Sequence, residues 1–466
     1  MNNANIVIIG AGPAGLAAGY ECVKKGGRVT ILEQSDKIGG LARTEIFNGS
    51  RFDIGPHRFF TKSDHIKALW REILPNDFLE VHRLTHIYYQ GQLFQYPLNL
   101  LNVVSGLGLW ESLRTLGSYL RAKIFPSREE KNFEEWVTNR FGARLFNRFF
   151  KTYTEKVWGI SCRTLSADWA DQRIQNLSVK TVLLNALTRR HETRTLINAF
   201  HYPRLGSGMM WEGLKDVIER HGGLVHKNSK CVRVRREGTV VTGVDVLQDG
   251  RHATHQGTAF ISSMPLTELV RQMDPPPPAD VLEAARRLRF RALVFVGLIV
   301  KQEKVIKDNW IYIHGLDIQA GRLSNFSSWS PSMSMDPTRT NLGMEYFVNE
   351  GDEFWLKPDR DIVDLAKREL HAMGFADAHD VEDAFVIKQP KAYPTYDDDY
   401  RENMAVIRRF MADFKNIQTI GRNGMHRYNN MDHSMMTGIG AAQNLQGSHI
   451  DLWTINEDPA YHESTP

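Results

Sequence analysis

The feature that most limits what this chain can fold into is a glycine triplet near its start. Gly10-Ala11-Gly12-Pro13-Ala14-Gly15 stands between an apolar, strand-like run at 6–9 and a helix-like run at 16–25. In such a turn the first glycine permits the tight bend, the second lets backbone approach a pyrophosphate, and the third lets helix and strand pack closely. The pyrophosphate rests on the helix N-terminus, whose unpaired N–H groups and dipole favour negative charge. A second strand-like run at 28–32 leads into Glu33. An acid there accepts hydrogen bonds from ribose hydroxyls and repels a 2′-phosphate, which favours the adenosine of FAD or NAD over that of NADP. The spacing predicts a βαβ unit that holds a dinucleotide against Gly10, Gly12, Pro13, Ala14, Gly15 and Glu33.

Further along, large apolar residues recur at helical spacing between 98 and 199, as in Phe133, Trp136, Val137 and Phe141. Strands are expected again after 200, with a hairpin formed by 223–234 and 239–247 and another strand at 259–264. The four prolines at 275–278 read as a stiff connector. Beyond them strands are expected at 292–300, 310–313, 321–326 and 342–348, a helix at 359–373, a short strand at 417–421 and a helix at 434–445. The last segment repeats the strand, glycine and helix order of the first. The expected fold is therefore α/β, with a discontinuous Rossmann-type nucleotide domain (1–75, 200–265 and 415–466), a helical domain (98–199) and an antiparallel β-sheet substrate domain (76–97 and 266–414).

Composition excludes several alternatives. Of 466 residues, 42% are apolar and 24% charged, against disorder, coiled coil or collagen. A net charge of +4 gives no electrostatic case for nucleic acid. Cys22, Cys162 and Cys231 are too dispersed for a metal pair and too few for a disulfide framework, so no metal site is expected and a reducing cytoplasm fits. No run is long and apolar enough to cross a membrane, and residues 6–19 lack the preceding basic segment of a leader peptide. The stretch 98–125 sets Arg114, Arg121 and Lys123 beside Leu107, Leu109, Trp110, Leu113 and Leu116. Its apolar residues are expected to pack inside the helical domain; the alternative is a helix lying on a membrane surface.

Ile38-Gly39-Gly40-Leu41-Ala42-Arg43-Thr44 supplies two more glycines where backbone can pass close to a cofactor. Its Gly-Gly-x-x-x-Thr pattern resembles flavoproteins of the amine oxidase, phytoene desaturase and mutase superfamily, which selects FAD and makes the nucleotide domain an FAD-binding one. Gly206-Ser207-Gly208 lacks the third glycine, its place being taken by Trp211, so no separate NAD(P)H fold is expected.

Three later motifs resemble those of UDP-galactopyranose mutases: Gly55-Pro56-His57-Arg58-Phe59-Phe60-Thr61, Gly91-Gln92-Leu93-Phe94-Gln95-Tyr96-Pro97-Leu98-Asn99, and Phe149-Phe150-Lys151-Thr152-Tyr153-Thr154-Glu155-Lys156-Val157-Trp158-Gly159. A fourth, Gly421-Arg422-Asn423-Gly424-Met425-His426-Arg427-Tyr428-Asn429-Asn430-Met431, resembles that family's C-terminal flavin-binding segment. The resemblance implies noncovalent FAD, active when reduced, whose N5 forms an adduct with the anomeric carbon of a nucleotide-linked sugar (a UDP-hexose) and so interconverts pyranose and furanose. It implies catalytic roles for His57, Arg173, Arg291 and Tyr428, with Arg291 and Tyr428 at the diphosphate. Leu41, Gly39, Gly40, Val232, Gly421, Arg422 and Met431 would line the cofactor, Val232 close to the adenine. Phe150 and Tyr153 would flank the uracil, with Thr154, Trp158, Arg322 and Asn430 also on the substrate. NAD(P)H is expected only as a reductant, and a homodimer is one outcome of an oligomeric state that the sequence leaves open.

The chain also departs from the mutase pattern. Phe60 replaces a second histidine, Arg173 matches the mobile-loop arginine only after a one-residue shift from Gln172, Ala320 replaces a tyrosine before Gly321-Arg322, and Asn430 stands for an acid. Gln389-Pro390-Lys391-Ala392-Tyr393-Pro394 resembles protoporphyrinogen oxidases instead. The alternative expectation is accordingly an FAD-dependent oxidase or desaturase of the amine oxidase type.

Overall fold

Strand β1 (Asn5–Ile9) is buried from Ile6 onward, as expected of a strand covered on both faces. The computed structural model describes residues 4–96, 108–167, 199–303 and 305–456. After β1 the chain turns through Gly10 into helix α1 (Pro13–Lys24) and returns as β2 (Arg28–Leu32), parallel to β1. The complete parallel sheet runs Ile417–Thr419, Ala259–Ser262, β1, β2, Leu224–His226. Its strands come from widely separated stretches of the chain. The C-terminal helix Met431–Asn444 lies so close to α1 that a Cβ on Gly438 would fall 2.1 Å from the Ala14 carbonyl oxygen.

The expected strand 223–234 is two strands. Leu224–His226 pairs with β2, and Ser229–Glu237 turns away into an antiparallel ladder with Val240–Gln248 and Arg251–Gln256. The break is at Asn228, whose φ of +51° is the left-handed conformation that asparagine tolerates better than most residues.

The helical layer contains α2 (Leu109–Ile124), α3 (Phe133–Phe141), a π-helical turn at Phe146–Lys151, and α4 (Thr152–Trp158). Ser63 caps the earlier helix Asp64–Ile73 and Asn132 caps α3, each side chain accepting a backbone N–H of the first turn. In the π turn, Phe149 points toward Tyr89 and Phe94 while Phe150 stacks on Phe141, with centroids 5.2 Å apart. Residues 97–107 and 168–198, Arg173 among them, lie outside the described residues. The expectation of interior packing fails for α2. Ala122 is buried and Tyr119 half-buried against the neighbouring helices, but Trp110, Leu113, Leu116, Leu120 and Ile124 are exposed.

Three long strands, β3 (Phe290–Val300), β4 (Thr340–Val348) and β5 (Val381–Pro394), form one edge of a seven-stranded sheet. Its order is β5, β3, β4, Arg322–Asn325, Trp310–Ile313, Thr85–Tyr89, Gln92–Gln95. Neighbours are antiparallel except Trp310–Ile313 and Thr85–Tyr89, which are parallel. Helix Asp359–Ala372 packs Ile362, Ala366 and Leu370 against this sheet's core. The expected strands and helix of this region all form, whereas β5 was not foreseen. Its charged and polar residues (Glu382, Asp383, Lys388, Gln389, Lys391) and internal Pro390 mask the strand pattern, and as an edge strand it tolerates the proline.

Candidate active site

The glycine turn is shaped by close approach. A Cβ on Gly15 would lie 1.9 Å from the Gly10 carbonyl oxygen, so helix and strand meet there as the motif requires. Gly12 differs: a Cβ would meet only the Gly40 Cα, at 3.9 Å, which leaves open space above the N-terminus of α1. The first turn of α1 carries no acid and no side-chain cap, so its N–H groups remain for an anion. Glu33, nearly buried, accepts from the backbone N–H of Ala11 at 2.8 Å and of Ser35 at 3.0 Å. Burial pushes its carboxyl above the ordinary range, and those N–H groups pull it back.

Facing this turn, Gly39 and Gly40 take φ of +96° and +54°. Arg43 holds the bend, donating to the Gly40 carbonyl oxygen and the Gln389 Oε1, each at 2.9 Å, and to Glu45 at 2.7 Å. Gly421, at φ +75°, brings the C-terminal segment against Ala14. Val232 is half-buried at an irregularity of a strand that begins on the Glu33 carbonyl, and Met431 opens the C-terminal helix. An acid-free helix N-terminus, an acid one strand away and a gap that only glycine leaves open together fit the adenosine diphosphate half of FAD.

Beyond the turn is a cationic group of residues. The Nδ1 of His57 is buried without a hydrogen-bond partner among the described residues. Burial first, then the charges of Arg422, Arg322 and Arg43, hold its imidazole down to about 3, so the ring is neutral. Arg322 is paired with the fully buried Glu345 and reaches Tyr393 Oη at 3.5 Å. Arg422 donates to the carbonyl oxygens of Asn429 (3.0 Å) and Ala392 (3.2 Å) and has no carboxylate partner among the described residues. Its guanidinium lies 4.5 Å over the Tyr428 ring. Tyr153 stacks on His314 (4.6 Å, 14°) and meets Tyr312 edge-on. Burial raises the phenols of Tyr153 and Tyr393, the latter to about 12, so both stay protonated.

The structure thus groups His57, Arg322 and Arg422 with Tyr153 and Tyr428. Arg291 is held differently. It donates to the carbonyl oxygens of Val157 (3.1 Å), Lys156 (3.3 Å) and Phe347 (2.6 Å) and to Asn349 Oδ1 (2.6 Å), clipping the end of α4 to β4. It is nonetheless near Tyr428, because it pairs with Tyr393 in the ladder and Tyr393 stacks on Tyr428. Trp158 lies beside that stacked pair, 6.3 Å from Tyr393 and 6.1 Å from Tyr428, with Thr154 buried in the same helix. Phe150 packs at the edge of that cluster. Leu41 packs on the sheet core, and Asn430 sits at the start of the C-terminal helix, its N–H 3.4 Å from His433 Nδ1. Gly206-Ser207-Gly208 bonds to Asp53 and Thr44, which gives it a structural role.

Sequence reading missed Glu345, Tyr393 and Lys156 as members of the site. Glu345 carried a usable signal, as the one charged residue among the mostly apolar residues of β4. The Lys156 ammonium lies 2.8 to 3.1 Å from the carbonyl oxygens of Ile313, Gly315, Ile318 and Ala320, four acceptors around its three N–H donors, and so pins the loop behind Tyr153; burial holds it down to about 8.

The profile of the flavin containing amine oxidoreductase family matches residues 13–445. The chain belongs to this family. As a member of an FAD-dependent oxidoreductase superfamily it is an enzyme, and its cradle fits the flavin dinucleotide. It is 30% identical over 177 residues to a probable UDP-galactopyranose mutase of Klebsiella pneumoniae, covering 36% of this chain and 44% of that one. It is 33% identical over 123 residues to a 1-hydroxycarotenoid 3,4-desaturase of a Flavobacterium species, a quarter of each. The chain therefore spans less than half the length of either relative. The crystal structure of reduced UDP-galactopyranose mutase superposes with a TM-score of 0.85 at 19% identity, covering 99% of this chain and 100% of that one, so the family's mixed α/β fold extends over the whole molecule.

Proposed function

We propose that this flavoenzyme interconverts the pyranose and furanose forms of a nucleotide-linked sugar, a UDP-hexose. The observation that carries this reading is the charge of the site. Arg43 is paired with Glu45 and Arg322 with Glu345, whereas Arg422, bonded to carbonyls among the described residues, keeps its charge uncompensated beside the neutral His57. An uncompensated guanidinium favours a diphosphate over a protonated amine. Bound FAD in its reduced form supplies a nucleophilic nitrogen. The chain holds the dinucleotide at the α1 N-terminus and Glu33. It presents Tyr153 as a flat surface for a base, sets Arg322 and Arg422 toward the phosphates, and uses Trp158, Tyr393 and Tyr428 to exclude water from the sugar.

One observation favours a second reading, an oxidase or desaturase. Ala320 is fully buried with its N–H on Glu369, so the hydroxyl of the mutase tyrosine has no counterpart at this position. Dithionite-reduced enzyme, kept anaerobic and given UDP-galactofuranose, separates the two. Many isomerisations per flavin support the mutase; no isomerisation, with oxygen uptake matched to an oxidised product in air, overturns it.

A further inference from the structure

We propose that the outer face of α2 docks this enzyme on an anionic lipid surface. Successive residues of a helix are 100° apart, and on that wheel Leu113, Gly117, Leu120 and Ile124 form the middle of one face, which Trp110 and Leu116 widen. These apolar residues are solvent-exposed, Trp110 by 67% and Ile124 by 68%, and Phe125, just past the helix, by 76%. A ridge of this size on a soluble surface marks an interaction site.

The charges decide the partner. Arg114 and Arg121 line one edge of the ridge and Lys123 the other, all three exposed. The Arg114 guanidinium lies 5.1 Å over the Trp110 ring and 3.8 Å from Glu111. Glu111 is the one acid of α2, and it sits on the packed side, where it accepts from Arg144 Nε at 2.9 Å. An apolar ridge between basic edges suits acyl chains below and headgroup phosphates beside it, with the long basic side chains reaching outward. A second copy of this chain suits it poorly, because a two-fold pairing of the same face would set basic edge against basic edge.

This inference does not depend on the reaction. Its test is flotation of the full-length, FAD-loaded protein with phosphatidylglycerol/phosphatidylcholine vesicles and with phosphatidylcholine alone. Wild type is expected to float with the anionic vesicles, and 0.5 M salt should release it. Leu113→Glu/Leu120→Glu should abolish flotation, and Arg121→Glu/Lys123→Glu should weaken it by about tenfold or more, with the flavin spectrum and melting temperature of both variants unchanged. Two outcomes overturn the proposal: wild type failing to float at low salt, or both variants floating like wild type. A third does so as well: Leu113→Glu/Leu120→Glu turning a dimer into a monomer by light scattering while vesicle binding is unaltered, since the face then belongs to a second copy.

Discussion

Arg322 and Glu345 form a two-pronged ion pair, with Nε 2.6 Å from Oε1 and Nη2 on Oε2, and the carboxylate is fully out of water. The pair joins neighbouring strands of the large sheet beneath Gly55, and it presents Arg322 toward Tyr393 and His57. Removing one partner of a buried pair leaves the other uncompensated.

Glu345→Gln should therefore lower stability by about 3 kcal/mol or more. Urea unfolding followed by circular dichroism measures this. The double variant Arg322→Met/Glu345→Met should be less destabilised than Glu345→Gln, because neither charge remains buried. Equal losses in the two would mean that the cost is packing and not charge.

The glycines of the first turn predict two different failures. Gly15→Ala puts a Cβ 1.9 Å from backbone, so the protein should not fold. Gly12 has an ordinary φ of −80° and open space, so Gly12→Ala should fold with the circular dichroism and stability of the wild-type apoprotein. Its methyl group would occupy the space that a pyrophosphate needs, and FAD occupancy, read from visible absorption, should fall by about tenfold or more. Acid precipitation of wild type should leave the flavin in the supernatant if it is held without a covalent bond.

Much of the cradle could be read from the sequence, because each of its residues does a local job at a fixed offset. Gly10, Gly15 and Glu33 act within one βαβ unit, and periodicity marks that unit's strands and helix. The substrate side is assembled instead by long-range pairing. Tyr393 reaches Tyr428 only because β5 pairs with β3, and Arg291 reaches α4 only because β3 lies beside β4. No offset in the chain encodes those meetings. The family resemblance singles out Tyr428 and Arg322, which the fold brings near one another around Tyr393, yet it could not show that most of the donors of Arg291 are engaged by the protein itself. On α2, apolar residues at helical spacing suggested burial, and pattern alone cannot say which face of a helix is covered.

Two buried histidines predict acid sensitivity. His314 and His426 are almost wholly buried, and burial holds them to about 3 and about 4, against an ordinary value of 6.5. Below pH 6.5 the unfolded chain binds a proton at each while the folded chain does not. Their contribution to stability is thus complete above pH 6.5 and is lost as pH falls toward 4. Each should add up to about 1.4 kcal/mol per pH unit to the slope in that window. His426→Leu should reduce the slope by one proton's worth between pH 6 and 4.5, as measured by chemical denaturation at each pH. An unchanged slope would place the proton uptake elsewhere.

Arg291 and Tyr428 are the two expected diphosphate contacts, and their settings predict separable effects. The bonds of Arg291 to Val157, Lys156, Phe347 and Asn349 occupy four of its five N–H groups, leaving one on Nη1 for a ligand. Burial lowers its pKa to about 10, so it remains charged at neutral pH. Arg291→Ala should then lose stability and nucleotide affinity together, the affinity by one to two powers of ten for a charged hydrogen bond of about 1.5 to 3 kcal/mol. Arg291→Lys should recover little of either, since an ammonium cannot span four acceptors held in a planar fork. Tyr428→Phe keeps the ring that stacks on Tyr393 and lies under Arg422, so FAD content should match wild type while UDP affinity weakens by a smaller factor. Titration of UDP against flavin fluorescence, with melting temperatures taken in parallel, reads both quantities. Wild-type UDP affinity in both Arg291→Ala and Tyr428→Phe would remove the diphosphate from this pair and leave Arg291 as the clip between α4 and β4.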